Sequence, residues 1–294
     1  MDRRSLQGTG CEIVGAGRHA MPAGMAHNRA MSPTLPSESP LAEVERATLL
    51  AAFDAELQPE RFKDYGPNGL QVEGRPRIRR IVSGVTASLA LIDAAIAADA
   101  DAIFVHHGLF WRGQDGTVTG WLKQRLQRLL AHDINLLAYH LPLDAHPTLG
   151  NNAQLAQRLG LRASGRFGEQ ELGFIGEPAD ERGFDHAEAL ARHLQQVLNR
   201  PVTQVGQAST AIKKIAWCSG GAQGYFEAAI AAGAQAFITG EISEPQAHLA
   251  RECGVVFCAC GHHATERYGA PAMAAHVAAR LGIAHQFIEI DNPA

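Results

Sequence analysis

The sequence is poor in several features that mark particular classes of protein. Aromatic residues make up only 6% of the 294 residues, which argues against a platform that stacks the bases of single-stranded nucleic acid. The net charge of -4 gives no bulk attraction to phosphate backbones, so nucleic acid is not favoured as a partner. No apolar stretch reaches the roughly 18 residues that a membrane-spanning helix needs. The composition therefore predicts a globular protein without a membrane span.

Cysteine is also scarce. The five cysteines show no zinc-finger spacing and form an odd set, namely Cys11, Cys218, Cys253, Cys258 and Cys260. Cys258 and Cys260 alternate along an apparent strand, so we interpret them as small buried hydrophobic residues. Unpaired cysteines of this kind fit a reducing compartment, and we expect the protein in the cytoplasm.

The first 39 residues differ in composition from the rest of the chain. They are rich in Gly, Pro, Ser, Arg and Met and show no periodicity or continuous apolar core of a secretory signal. We predict that residues 1–39 form a flexible extension, with Met31 as an alternative start. The remaining length suits one or two domains of about 150 residues each.

From about residue 41 the hydrophobic pattern becomes regular. Helical spacing of apolar residues over 41–57, 88–98 and 121–132 alternates with short apolar runs at 79–84, 102–105 and 135–139. Alternation of strand and helix is typical of α/β proteins. The sequence therefore predicts an α/β fold with largely parallel sheets.

The second half of the chain repeats the first. Residues 94–106 align without gaps on residues 228–240, and the preceding strands at 81–84 and 216–220 also correspond after a short slip. Between the repeats, residues 171–176, 185–198 and 201–205 predict a connecting strand, helix and strand. We therefore expect an internal duplication, with one half at residues 40–164, the other at 165–294, and a site at their junction.

Three predicted strands end in clusters of metal-type ligands. The strand ends lie near residues 106, 140 and 262, and in open α/β sheets ligands bind outside the carboxyl ends of strands. The candidate side chains are His106, His107, His140, Asp144, His262, His263 and Glu266. Imidazole nitrogens together with carboxylate oxygens suit a divalent transition metal such as Zn, Mn, Fe, Co or Ni. The pattern predicts a metal site.

The two adjacent histidines also have a structural explanation. Neighbouring side chains on a strand point to opposite faces, so His106 and His107 reach one site only if the strand has ended, which Gly108 permits. The alternative is one buried histidine with its polar groups satisfied and one exposed neighbour. Asp144, taken alone, is typical of a turn or a helix cap.

The remaining candidates carry similar alternatives. Glu266 would complement the helix dipole if it lay in the first turn of a helix. His140 is either part of the site or a residue that orients a ligand, and His263 is more simply a solvent-facing or supporting residue than a ligand. Glu241 corresponds to His107 in the repeat and either faces the metals or begins a solvated helix. The glycine-rich residues 219–224 predict a close-packing turn more than an anion site.

Taken together, these segments resemble the Nif-three-like family, whose bacterial members are labelled GTP cyclohydrolase 1 type 2 homologues. The matching stretches are Asn-Gly-Leu-Gln-Val at 68–72, Phe-Val-His-His-Gly at 104–108, His-Leu-Pro-Leu-Asp at 140–144, Thr-Gly-Glu-Ile-Ser at 239–243, Gly-His-His-Ala-Thr-Glu at 261–266 and Ile-Asp-Asn-Pro-Ala at 290–294. The resemblance implies two interlocked α/β halves, a dinuclear metal centre and a ring-shaped homohexamer. It also implies that the ligands are His106, His107, Asp144, His262 and Glu266. Residues 1–39 match nothing in the family, and the domain that longer members insert between the halves is missing.

The resemblance indicates a metal-dependent hydrolase that uses two divalent ions, with ring opening of GTP as the leading reaction. His140 or His263 would then carry the proton. The alternative is a non-enzymatic ring that stores or presents metal ions, or a scaffold for partner proteins. A ring that threads nucleic acid is a third reading, which would require a basic inner face.

Overall fold

A computed structural model describes residues 42–207 and 211–294. The predicted extension, residues 1–39, lies outside the described residues, as do Cys11 and Met31. No helix in the described part of the chain is long and apolar enough to cross a bilayer.

The described residues form strands that fall into two main sheets and one short pair. The strands are β1 (Val44–Glu45), β2 (Gly69–Val72), β3 (Arg77–Ile78), β4 (Arg80–Thr86), β5 (Ala102–His107), β6 (Asn135–Ala138), β7 (Leu161–Phe167), β8 (Gly173–Pro178), β9 (Thr203–Val205), β10 (Ile215–Trp217), β11 (Ala236–Thr239), β12 (Val256–Ala259) and β13 (Ala284–Phe287). The first main sheet has the order β13-β4-β5-β6-β2, and the second has the order β7-β8-β10-β11-β12-β9. Strands β1 and β3 form the short antiparallel pair.

Helices connect most of these strands. They are α1 (Arg46–Leu57), α2 (Leu89–Ala97), α3 (Gly120–Ala131), α4 (Leu141–Ala145), α5 (Asn151–Leu159), α6 (Ala187–Leu198), α7 (Phe226–Ala231), α8 (Glu244–Cys253), α9 (His262–Glu266) and α10 (Gly269–Leu281). The predicted helices over 88–98 and 121–132 correspond to α2 and α3. The predicted connecting strand, helix and strand correspond to β8, α6 and β9.

Both main sheets have a parallel centre. In the first sheet, β13, β4, β5 and β6 are parallel, and β2 joins the edge in the antiparallel sense. In the second sheet, β10, β11 and β12 are parallel, and the outer strands β8, β7 and β9 are antiparallel. The α/β class is confirmed, and the antiparallel edges make both sheets mixed.

The alternation of apolar residues along the strands explains how helices cover both faces. In β5, Ala102 and Phe104 pack in a cluster with α1 and α10, whereas Ile103 and Val105 pack in a cluster with α2 and α3. Successive strand side chains point to opposite faces, so a continuous apolar run is what a strand buried on both faces requires. Phe53 of α1 stacks on Phe104 with ring centroids 4.4 Å apart.

The two sheets contain the same local arrangement. The unit β4-α2-β5-α3-β6 and the unit β10-α7-β11-α8-β12 each place three parallel strands in order and end in a five-residue helix, α4 or α9. The last strand, β13, returns to pair with β4, so the first sheet contains chain segments from both ends of the described region. The domain boundary between residues 164 and 165 stays a prediction.

Candidate metal centre

The predicted site residues follow three strands, β5, β6 and β12. His106 and His107 are the last two residues of β5, Asp144 lies in α4 after β6, and His262 and Glu266 begin and end α9 after β12. The structure brings all five side chains together. We had expected the strand to end before the histidine pair. Instead, β5 includes both residues. Their rings lie 4.5 Å apart between centroids, so the terminal position of His107 is enough to let both reach one site.

Each of the three predicted histidine ligands is held through Nδ1. The Nδ1 atom of His106 lies 3.2 Å from the carbonyl oxygen of Tyr139, and that of His107 lies 3.1 Å from Oγ1 of Thr86. The Nδ1 atom of His262 lies 2.7 Å from Oε1 of Glu241. Metal-binding histidines usually donate their second ring N–H to such a partner. This arrangement leaves Nε2 of each ring available to a metal.

Glu266 lies between the histidines and is only 2% exposed. Its Oε1 atom is 3.4 Å from Nε2 of His106, and its Oε2 atom is 3.3 Å from Nε2 of His107 and 3.2 Å from Nε2 of His262. The two carboxylate oxygens therefore face different histidines.

Asp144 completes the side of the cluster near His106. Its Oδ1 atom lies 3.6 Å from Nε2 of His106. The same oxygen accepts hydrogen bonds from Nδ2 of Asn151 at 2.8 Å and from Oγ of Ser219 at 3.2 Å. These neutral donors fix the carboxylate without adding a positive charge that would repel a metal ion.

The spacing of these atoms suits metal coordination. Three groups of potential ligand atoms lie within 4.8 Å of one another in the described residues. Two contain Glu266, namely His106 with Asp144 and Glu266, and His107 with His262 and Glu266, and the third joins His106, His107 and His140. In a tetrahedral site with bonds of about 2.0–2.2 Å, neighbouring ligand atoms lie about 3.3–3.6 Å apart. Nε2 of His106 and Oε2 of Glu266 are buried without a hydrogen-bond partner. Buried polar atoms are normally paired. A cation held by His106 and Asp144 would satisfy the first of these atoms, and a cation held by His107 and His262 would satisfy the second.

Burial and neighbouring charges shift the pKa values of the site residues in different directions. Burial acts to lower the pKa of His106, but the carboxylates of Asp144 and Glu266 outweigh it and raise this pKa to about 9. The neighbouring carboxylate of Glu266, above all, raises the pKa of His262 to about 9. Burial lowers the pKa of His107 to about 3. Burial also acts to raise the pKa of Glu266, but the neighbouring histidines, His106 above all, hold it well below its usual range. The ionised glutamate is thus paired with protonated histidines, whose protons a metal ion would displace.

The position of Glu266 in α9 excludes the alternative that this residue only complements a helix dipole. Helix α9 ends at Glu266, so this carboxylate is not in the first turn and does not complement the helix dipole there. Gly220, in the turn after β10, has a φ of +71°, and a Cβ atom at this position would overlap Oε1 of Glu266. The glycine-rich turn at 219–224 is therefore close-packed against the site, as predicted.

The structure separates the two histidines that were predicted to carry protons. The ring of His140 lies 4.9 Å from that of His106 between centroids. His263 instead points its Nε2 atom at Oε1 of Glu289, 2.5 Å away, and borders a smaller cavity of about 210 Å³ that also reaches His107 and His262.

Sequence reasoning missed two residues that hold histidines of the site: Asp64, which contacts His140, and Thr86, which contacts His107. Asp64 lies in the turn-rich segment before β2, and its Oδ1 atom is 2.7 Å from Nδ1 of His140. Neither residue has a fixed spacing from its histidine, so no sequence signal would have found them. Glu241, for which two explanations were open, supports His262 from the outer side and does not belong to any of these ligand groups.

A cavity of about 400 Å³ opens onto the centre. Its walls include the aromatic residues Tyr65, Trp111 and Tyr225 beside the predicted ligands. This volume lies in the range of small-molecule binding sites. Another cavity, of about 470 Å³, is lined by Pro142 and His146 and contains none of the predicted ligands. The 400 Å³ cavity is therefore the candidate binding pocket, because the predicted ligands line it.

Comparisons with known proteins identify the family of this chain. Residues 44–293 match the family model described as DUF34/NIF3 (NGG1p interacting factor 3). A GTP cyclohydrolase 1 type 2 homolog from Pseudomonas aeruginosa is 51% identical over 254 residues, covering 84% of this chain and 98% of the relative. A homolog with the same name from Neisseria meningitidis serogroup A is 51% identical over 251 residues, covering 85% of this chain and all of the relative, 100%.

Solved structures show the same fold. The structure of protein ybgI, described as of unknown function, has a TM-score of 0.82 and 43% sequence identity, and the match covers 85% of this chain and 100% of that one. The structure of TTHA1606 from Thermus thermophilus has a TM-score of 0.73 and 33% identity over 85% of this chain and 100% of its own. The predicted resemblance is confirmed, and this chain belongs to the DUF34/NIF3 family.

Proposed function

We propose that this chain binds two divalent transition-metal ions and acts as a metal-dependent hydrolase. The observation that carries the proposal is the pair of buried, unpartnered atoms, Nε2 of His106 and Oε2 of Glu266. They lie in a cluster whose other atoms have the spacing of metal ligands. Zn, Fe, Mn, Co and Ni all suit this mixture of nitrogen and oxygen donors.

Each of the two ligand groups that contain Glu266 would hold one ion. His106 and Asp144 would hold one ion, and His107 and His262 would hold the other. Glu266 belongs to both groups, with Oε1 on the side of His106 and Oε2 on the side of the other two histidines. We therefore propose Glu266 as the residue that bridges the two ions.

The proposed chemistry is hydrolysis. When bound, two divalent ions supply Lewis acidity, which polarises a carbonyl or phosphoryl oxygen and brings the pKa of a water molecule to about 7. The protein contributes fixed ligands, a pocket beside them and a group to take the proton. His140 and His263 were the predicted proton carriers, and this assignment stays a prediction. The hydrogen bond between His263 and Glu289 would keep the His263 ring oriented beside the cavity of about 210 Å³.

The name of the relatives suggests GTP as the first substrate to test. The cavity beside the centre is large enough for a small molecule, and its aromatic residues suit a planar ring. Among the described residues that line this cavity, none is a lysine or arginine. The phosphates of a nucleotide would therefore meet positive charge only at the metal centre.

We also propose that the chain assembles as a homohexamer, as the family resemblance implies. The side chains of Val118, Trp121 and Leu130 are large, apolar and exposed in the single chain. Contacts between chains would remove such a surface from water. Light scattering should give six times the chain mass both for the full chain and for a form without residues 1–39. A monomer mass for both would refute this part of the proposal.

The experiment that tests the function uses the protein loaded with zinc or manganese and the same protein after chelation. Elemental analysis should give about two ions per chain in the loaded protein, and GTP should be converted only when metal is present. The variant Asp144→Asn should lose both an ion and the activity, whereas the exposed Glu244→Gln should keep both. Fewer than one ion per chain after metal supplementation would refute the metal centre. Two ions without turnover of GTP or simple phosphoesters would favour the non-enzymatic metal-binding ring.

A further inference from the structure

His140 shares the geometry of the three predicted histidine ligands. One ring nitrogen of His140 lies within 4.8 Å of a ring nitrogen of both His106 and His107. Its Nδ1 atom forms a hydrogen bond with Asp64. The Nδ1 atoms of His106, His107 and His262 likewise form hydrogen bonds with neighbouring protein groups. Within the described part of the chain, no hydrogen bond occupies Nε2 of His140. The atom that a metal would use is therefore free.

Asp64 determines which nitrogen of His140 carries the proton. Its side chain is 3% exposed, and its oxygens accept hydrogen bonds from Tyr65 N at 2.6 Å, Asn68 Nδ2 at 2.9 Å and Leu141 N at 2.9 Å as well as from His140. Both Asp64 oxygens thus accept hydrogen bonds from N–H groups, which is the acceptor role of a carboxylate. Nδ1 of His140 therefore donates to Asp64, which leaves Nε2 as the ring nitrogen that a metal could bind.

In the internal repeat, His140 occupies the position that corresponds to the predicted ligand His262. His140 follows β6 and precedes Asp144 by four residues, just as His262 follows β12 and precedes Glu266 by four residues. Both histidines bond a carboxylate through Nδ1 at 2.7 Å, Asp64 for His140 and Glu241 for His262. The two halves thus present the same pair, a histidine held by a carboxylate and a second carboxylate four residues later.

We infer that His140 is a sixth protein ligand of the metal centre and that Asp64 is its positioning residue. The inference rests on the proposed metal centre and deepens it, because the first half of the repeat then supplies the same ligating pair of histidine and carboxylate as the second. It also moves His140 from proton carrier to ligand and leaves proton transfer to His263. With four imidazoles in the ligand set, the centre favours borderline metals such as Zn, Co or Fe over Mn.

Two variants test the inference through metal binding alone. His140→Gln removes the nitrogen. Asp64→Asn offers an amide N–H to Nδ1, which favours the tautomer with its proton on Nε2 and so blocks the lone pair. Removing a partner that holds a ligating histidine costs roughly 10–100-fold in metal affinity. We expect Asp64→Asn to weaken one of the two zinc ions by that factor in a competition titration and His140→Gln to weaken it at least as much. The visible absorption of the Co²⁺-loaded protein should change in both variants.

A matched control uses a histidine outside the centre. His193 bonds the carbonyl oxygen of Leu159 through Nε2 at 2.9 Å, so His193→Gln also removes a hydrogen-bonded imidazole and should leave both ions and the Co²⁺ spectrum unchanged. If His140→Gln does not fold, as judged by circular dichroism, Asp64→Asn decides the question. Parent-like zinc affinity and Co²⁺ absorption in Asp64→Asn, or an equal loss in His193→Gln, would overturn the inference.

These results separate the inference from the proposed function. A parent protein that takes up no zinc would refute the metal centre itself. A parent that binds two ions, together with variants of His140 and Asp64 that bind them equally well, would leave the centre intact with five ligands and refute only the role of His140.

Discussion

Replacing Glu266 with glutamine removes a buried negative charge from between the two ligand groups while keeping the size of the side chain. Its two oxygens lie 3.4 Å from Nε2 of His106 and 3.3 Å from Nε2 of His107, and each faces a different group. Both ions should therefore bind more weakly in Glu266→Gln. Loss of an outer partner of a ligand already costs about 10–100-fold in affinity, so we expect at least 100-fold for this direct ligand.

That loss has a measurable effect on stability. At a free zinc concentration of about 1,000 times Kd, one bound ion stabilises the folded protein by about 4.1 kcal/mol, and a 100-fold weaker ion stabilises it by only about 1.4 kcal/mol. The difference is about 2.7 kcal/mol for each ion. Thermal unfolding with and without zinc, measured at the same protein concentration, should show a much smaller metal-induced rise in Tm for Glu266→Gln than for the parent.

The control is Glu244→Gln in the first turn of α8. Glu244 is exposed and pairs with His248 at 2.8 Å, so its replacement should cost at most about 1 kcal/mol and leave the effect of zinc unchanged. The reasoning would be refuted if Glu266→Gln bound two zinc ions with the parent's affinity, because Glu266 would then have no place in the site.

Three further predictions concern other parts of the molecule. The pKa values of His106 and His262 are raised to about 9 in the metal-free protein, so zinc must displace their protons. The apparent affinity for zinc should therefore rise with pH up to about 9. A zinc affinity that does not change between about pH 6 and 9 would contradict this. Trp217→Ala empties a fully buried position and breaks a hydrogen bond from Nε1 to the carbonyl oxygen of Asn152, so it should lower the free energy of unfolding by about 3–5 kcal/mol in denaturant titrations. Of the four cysteines in the described residues, only Cys253 is exposed, so among these four it alone should react quickly with a thiol reagent in the native protein, as peptide mapping of the labelled protein would show.

The sequence was most informative where the chain is locally regular. Short apolar runs predicted strands such as β5 and β6 because a strand buried on both faces must be apolar throughout. The antiparallel edge strand β7 was not predicted, since four of its seven residues are exposed and its pattern resembles a loop. The extent of β5 was also misjudged, because a polar pair at a strand end carries no signal of where the backbone pairing stops.

Much of the candidate site could be predicted, since five of its residues lie at strand ends or in the short helices that follow them, and a parallel topology brings these strand ends to one edge. The residues that hold the histidines could not. Asp64 is 76 residues from His140 along the chain, and a contact over such a distance depends on how the turn before β2 packs against β6. Likewise, which ion each Glu266 oxygen would bind depends on side-chain directions at the end of α9, which spacing alone does not define.

Anomalous X-ray scattering at the zinc edge tests most directly whether two ions occupy one cluster with Glu266 between them. Crystals of the zinc-loaded protein should show two strong peaks per chain, one among His106, Asp144 and Oε1 of Glu266, the other among His107, His262 and Oε2 of Glu266. A single peak, or peaks that do not contact Glu266, would contradict the account.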